Sequence, residues 1–150
     1  MKLFLVRHGE YVPETVDPEK SLSEKGKTDI HKIGESLKKE GYSVDEIFHS
    51  GKKRAQETAE ILAKYILKDA RISAQEGMDP NDDVKPWTEK IQNFNKNLML
   101  VGHLPFMEKL SSLLLTGDEF NAVVEFDTGT TAILEKTSND KWKLEKVIKV

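Results

Sequence analysis

Leu3-Phe4-Leu5-Val6-Arg7-His8-Gly9-Glu10 is the stretch on which the fold of this 150-residue chain turns. Four consecutive apolar residues read as a strand buried on both faces. The run then stops on a cation, an imidazole, a glycine and a carboxylate. In an open α/β sheet, the loop just past the carboxyl end of such a strand is where ligands usually sit. Gly9 is expected to let the backbone turn sharply there. A second stretch has the same shape: Leu98-Met99-Leu100-Val101-Gly102-His103-Leu104-Pro105. Again an apolar run ends on a histidine, and Pro105 suits the opening of a helix. Two strands thus deliver two histidines to one sheet edge.

Working outward, residues 11–20 read as a polar loop over that edge. A helix over 21–40 follows: Ser21 and Glu24 have capping-box spacing, and Ile30, Ile33 and Leu37 share one face. A short strand over 44–49 leads to a second helix over 52–68, whose inward stripe is Ala55, Ala59, Leu62, Ala63 and Ile66. Residues 71–74 form a weak strand and 75–83 an acidic loop. A short helix over 86–94 comes next, then the strand 98–102 and a helix over 105–115. The remaining chain changes character: 123–126, 131–135 and 142–148 read as strands separated by turns. The expected architecture is α/β, three layers (α/β/α), with a mostly parallel central sheet and antiparallel C-terminal strands.

Charged residues make up 33% of the chain, yet the net charge is only −3, so both signs are interspersed. That pattern carries no electrostatic footprint for nucleic acid or an anionic membrane. The absence of cysteine removes disulfides, thiolate zinc sites and a cysteine nucleophile together. No apolar run approaches the roughly 20 residues needed to span a bilayer, and the first one ends at Arg7, too short for a signal peptide. The expectation is one domain over residues 1–150, soluble, cytoplasmic and monomeric, with no nucleic-acid or membrane partner.

Arg7, His8, Arg54 and His103 are the residues that carry chemistry. Arg54 lies near the start of the second helix, just past Ser50 at the end of the second strand, so three strand ends can converge. Two guanidiniums and two imidazoles around one cavity suit a phosphoryl group: arginine is a permanently charged planar fork that matches phosphate oxygens bidentately. Helix N-termini after Ser50 and His103 would add backbone N–H donors. An imidazole can attack phosphorus and hold the phosphoryl group covalently. Fixed cations can then stabilise the transferring group without a metal.

Val6-Arg7-His8-Gly9-Glu10 resembles the Arg-His-Gly signature of the histidine phosphatase superfamily, whose fold is phosphoglycerate-mutase-like. The likeness continues through Leu22-Ser23-Glu24-Lys25-Gly26, through Ser50-Gly-Lys-Lys-Arg54-Ala55-Gln-Glu-Thr58-Ala59 and through Val101-Gly102-His103-Leu-Pro105. The chain length, the Pro80-Asn81-Asp82-Asp83 loop and Thr128-Gly129 are similar to the SixA-type phosphohistidine phosphatases of that superfamily. The resemblance implies His8 as the nucleophile, with Arg7, Arg54 and His103 holding the phosphoryl oxygens. It further implies a phosphorylated protein, such as a histidine phosphotransfer domain, as substrate, with no cofactor and no metal.

Around these four, Gly9, Glu10, Ser23 and Asp79 are read as substrate-contacting candidates. Glu10 could equally be a loop acid in solvent, and Ser23 a helix cap. Asp79 and Glu76 are the candidates for a general acid, although no clear equivalent of the superfamily's acid is present. A phosphohistidine leaves as imidazole and needs less protonation than an alkoxide. His31 and His49 lack a comparable setting and read as bystanders. Two other readings stay open: inside this superfamily, a phosphatase for a small phosphorylated ester, and, of another class, a phosphohistidine-binding module without turnover. The short chain favours the protein substrate over the ester. Asp79-Pro-Asn81-Asp-Asp83 begins like a calcium loop, but Val84 stands where its glycine belongs and Lys90 where its glutamate belongs. Asp127-Thr128-Gly129 is similar to the aspartic protease triplet, which belongs to nearly all-β proteins and conflicts with the helices read here.

Overall fold

Strand β1 (Lys2–Arg7) alternates its side chains between two separate cores, which is why its apolar run is unbroken. In the computed structural model, which describes residues 1–69 and 71–150, Phe4 and Val6 face one helical layer and Leu3 and Leu5 the other. The first layer holds α1 (Glu24–Lys39) and α2 (Lys53–Ile66), which bury Ile30, Ile33, Leu37, Ala59 and Leu62 against that face. The second holds α3 (Lys85–Gln92) and α4 (Phe106–Thr116), which bury Trp87, Ile91, Phe106 and Leu110. The remaining strands are β2 (Glu46–His49), β3 (Ile72–Ala74), β4 (Leu98–Gly102), β5 (Thr131–Lys136) and β6 (Trp142–Ile148).

These form one six-stranded sheet in the order β3-β2-β4-β1-β5-β6. The first four run parallel; β5 is antiparallel to β1, and β6 to β5. The three-layer α/β/α fold with antiparallel C-terminal strands is therefore as expected. Its register positions the site: Arg7 lies beside Gly102, and His49 beside Val101. The carboxyl ends of β1, β4 and β2 finish level with one another.

Several boundaries differ from the sequence reading. The helix cap is Ser23 rather than Ser21: the Ser23 hydroxyl accepts from the Gly26 amide at 2.9 Å, whereas Ser21 donates to Asp17. Residues 123–126 pair with no strand of the sheet. Their alternation is real but has another origin. Val124 and Phe126 plug the α3/α4 core while Val123 stays 51% exposed. Val44 contributes only an isolated bridge to Leu67, which shortens β2. Among the described residues, no helix is long and apolar enough to cross a membrane.

Candidate active site

The backbone at the end of β1 is held from both sides. The His8 amide donates to the Gly102 carbonyl at 3.0 Å, tying it to β4. From the opposite side, the Gly129 amide donates to the carbonyls of Arg7 and His8 at 3.0 and 3.1 Å. The Asp127-Thr128-Gly129 segment is thus a turn that clamps this strand end, with Asp127 paired to Lys149 at 3.1 Å. Gly9 does not serve a left-handed turn, as its φ is not positive. A Cβ there would come within 2.9 Å of Ile30, so the residue is small because α1 packs directly over it.

His8 is buried, 4% exposed, and its Nδ1 lies 2.9 Å from the Gly9 carbonyl. A carbonyl only accepts, so Nδ1 carries the proton and Nε2 keeps its lone pair. Burial, with smaller contributions from Arg54 and Arg7, pushes the ring down to about 4, against a partly opposing effect of the Gly9 carbonyl. The imidazole is therefore neutral at neutral pH, with a free nucleophilic nitrogen. The His103 ring stands 4.9 Å away between centroids, tilted by 52°. It is pushed down to about 3, first by burial and then by His8, Arg54, Lys52 and Arg7.

The two arginines complete the cluster. Arg7 donates from Nη1 to the Phe126 carbonyl at 2.9 Å, which fixes its fork. Arg54 lies over the Tyr11 ring, 5.1 Å from its centroid, and that ring meets His8 edge-on at 5.2 Å. Among the described residues, the buried side-chain polar atoms with no hydrogen-bond partner are Arg7 Nε, Arg54 Nε and His103 Nδ1. Leaving a buried donor unpaired costs about 1–3 kcal/mol, so native interiors tolerate few. Here all three fall on residues singled out from the sequence. Two guanidinium donors and a second imidazole beside a bare imidazole nitrogen can hold a tetrahedral oxyanion in line with a nucleophile.

The other candidates are placed less centrally. The Glu10 carboxylate accepts from the Ser23 hydroxyl at 2.6 Å, so these two act as a pair at the foot of α1. Asp79 is exposed and pairs with Lys52 at 3.8 Å, and Glu76 is exposed. Both backbone groups of Gly9 are engaged within the protein. His31 bonds the Tyr65 hydroxyl at 2.7 Å, and the His49 Nδ1 accepts from the Gly51 amide at 3.0 Å. Three residues had no role in the sequence reading. Tyr11 forms a wall between His8 and Arg54. Lys52 adds charge beside His103. Thr58, fully buried, accepts from the Gly9 amide at 3.0 Å and donates to the Arg54 carbonyl at 2.8 Å. Its signal was its position four residues after Arg54 on the inward stripe of α2.

A family model described as the histidine phosphatase superfamily (branch 1) matches residues 3–79. The mouse (Mus musculus) mitochondrial serine/threonine-protein phosphatase PGAM5 is 30% identical over 91 residues, covering 57% of this chain and 32% of that protein. The chain thus spans about a third of the length of the curated relatives it matches. Among solved structures, the protein histidine phosphatase SixA complexed with tungstate superposes with a TM-score of 0.87 at 17% identity, covering 99% of this chain and 97% of that one. A phosphoserine phosphatase in complex with 3-phosphoglyceric acid, from Entamoeba histolytica, superposes with a TM-score of 0.71 at 18% identity, covering 99% and 97%. Both share the fold.

Proposed function

Because the chain belongs to the histidine phosphatase superfamily, we propose that it hydrolyses phosphohistidine on a protein, without a metal ion, through a covalent phosphohistidine at His8. Nε2 of His8 attacks phosphorus, the N–P bond of the substrate breaks, and the departing imidazole takes a proton from solvent. Water then attacks the phosphoryl group on His8 and releases phosphate. Arg7, Arg54 and His103 stabilise the charge spread over the oxygens in both transfers. The observation that carries this reading is the meeting of a bare, neutral imidazole nitrogen with three unpartnered buried nitrogens, two of them guanidinium donors.

Two observations support an N–P substrate. The fold is like that of a protein histidine phosphatase. In addition, two of the carboxylates read as site candidates are engaged elsewhere, Glu10 with Ser23 and Asp79 with Lys52. An imidazole leaving group needs less help from an acid than an alkoxide does. The test is phosphate release from a phosphorylated histidine phosphotransfer domain, with trapping of an acid-labile phosphoenzyme that His8→Ala abolishes. A module that merely binds phosphohistidine would release no phosphate in either form.

The second reading, a small-ester phosphatase, draws on the likeness to the phosphoserine phosphatase. That protein and this chain cover each other almost completely, so short length does not count against an ester substrate. Faster turnover of phosphoserine than of the phosphorylated domain would establish this second reading and displace the first.

A further inference from the structure

Among the described residues, the His103 ring is held by one side-chain bond: its Nε2 lies 2.6 Å from the Ser50 hydroxyl. Ser50 directly follows β2 and His103 directly follows β4, so the bond spans the gap between two strand termini at the mouth of the site. A serine hydroxyl has one proton to give and can accept as well. Here Oγ already accepts from the Lys52 amide at 3.3 Å, and among the described residues its other bond is the one to His103.

We infer that Ser50 is a positioning residue: by donating to Nε2 it fixes the proton of His103 on Nδ1, so that the buried, unpartnered Nδ1 presents an N–H to the phosphoryl oxygens. The inference deepens the phosphatase reading and rests on it for the identity of the anion. The reasoning is one of hydrogen inventory. Which imidazole nitrogen is protonated follows from the bond that the other one makes. If Nε2 donated to Ser50 instead, the hydroxyl proton would have no acceptor among the described protein groups and would have to turn to solvent. The bare Nδ1 would then set its lone pair against the oxygens that Arg7 and Arg54 attract. With Ser50 donating, all three orphaned atoms are N–H donors: two belong to guanidiniums and have no choice, and the third is made a donor by its serine.

The two histidines then take the same tautomer for opposite ends. His8 keeps its proton on Nδ1, where the Gly9 carbonyl accepts it, and offers its other nitrogen as a lone pair. His103 keeps its proton on Nδ1 because Ser50 donates to Nε2, and it offers that Nδ1 as a donor. Burial among cations keeps the His103 ring neutral. A neutral ring has one N–H to place, so the tautomer decides whether a donor exists at all.

The test is a long-range proton–nitrogen correlation spectrum of the uniformly nitrogen-15-labelled protein at neutral pH, with the His103 signals assigned by their loss in His103→Gln. The expected result is a protonated Nδ1 and a bare Nε2 on His103. Ser50→Ala should mix or invert that pattern, and Ser50→Thr, which keeps the hydroxyl, should restore it. A misdirected oxyanion donor costs on the order of 10²-fold in kcat, so Ser50→Ala should lose about that much with KM little changed, and Ser50→Thr should recover most of it. A proton on Nε2 of wild-type His103, or a Ser50→Ala spectrum identical to wild type, would overturn the inference. The spectrum needs no substrate: failure to turn over a phosphorylated protein would refute the proposed function and leave the tautomer result standing, and the reverse outcome separates them equally well.

Discussion

The Thr58 hydroxyl sits between the Gly9 amide, 3.0 Å away, and the Arg54 carbonyl, 2.8 Å away, so one buried side chain joins the nucleophile loop to the helix that carries the second arginine. The bond reaches His8 through one further step, since the Gly9 carbonyl is what holds Nδ1. Thr58→Val keeps the shape and removes the acceptor, leaving a buried amide unpaired at a cost of about 1–3 kcal/mol. Urea denaturation should show that loss, and kcat should fall because His8 is less firmly aimed. Thr58→Ser should retain both properties. A Thr58→Val protein as stable and as active as wild type would refute the link.

Oxyanion binding should be visible in stability. Arg7, Arg54 and His103 carry buried donors that an anion would satisfy. A ligand that binds only the folded state stabilises it by about 2.7 kcal/mol at a hundred times its Kd. Inorganic phosphate or tungstate should therefore raise Tm in proportion to the logarithm of its concentration. Arg54→Met should abolish the shift while raising Tm without ligand, since it removes a confined charge that has no carboxylate partner among the described residues. Arg54→Lys preserves charge but loses the fork, so kcat/KM should drop by about 10²-fold. An unchanged anion response in Arg54→Met would place the binding site elsewhere.

Acid should act on this protein through its two central imidazoles. In the fold His8 sits near about 4 and His103 near about 3, against an ordinary value of 6.5 for both in the unfolded chain. Above pH 6.5 both rings are neutral in either state, and their burial carries no proton penalty. As pH falls below 6.5, the unfolded chain takes up two protons that the fold refuses, so stability decreases through the window from 6.5 toward 4. Urea midpoints at pH 7.5 and 5 should differ accordingly, and less so in His103→Asn. The acid limb of kcat/KM should lie near 4, where the adjacent rings titrate as a pair. A limb near 6.5 would mean that His8 is not buried as described.

The layered sheet and three of the central residues, Arg7, His8 and His103, were legible in the sequence for one physical reason. A strand buried on both faces must be apolar throughout, so charged or imidazole side chains that interrupt it mark its end, and parallel strand ends gather on one edge. Residues 123–126 misled because an extended loop that plugs a core alternates just as a half-buried strand does. Ser50 and Thr58 were silent for a different reason. A hydroxyl shows its role only through the atom opposite it, and those atoms lie 53 and 49 residues away in the chain. Glu10 and Ser23 were visible as candidates, but their pairing with each other depends on the approach of α1 to the nucleophile loop.

That approach sets the last prediction. A Cβ on Gly26 would lie 2.1 Å from the Glu10 carbonyl oxygen, a backbone atom that cannot rotate aside. The Ser23 amide donates to that same carbonyl at 3.0 Å, and the Ser23 hydroxyl bonds both the Gly26 amide and the Glu10 carboxylate. Gly26→Ala must therefore push the first turn of α1 away from the loop that follows His8. Overpacking of this kind typically costs 1–3 kcal/mol, about the worth of several surface contacts. Because the displaced loop carries Gly9 and Glu10, kcat should fall further than the stability loss alone implies, measured well below the new Tm. Ser23→Ala, which removes the cap and the Glu10 bond without adding bulk, should cost about 1 kcal/mol and leave kcat closer to wild type. Equal losses of kcat in the two variants would mean that the Glu10–Ser23 bond, rather than the backbone contact at Gly26, holds the loop in place.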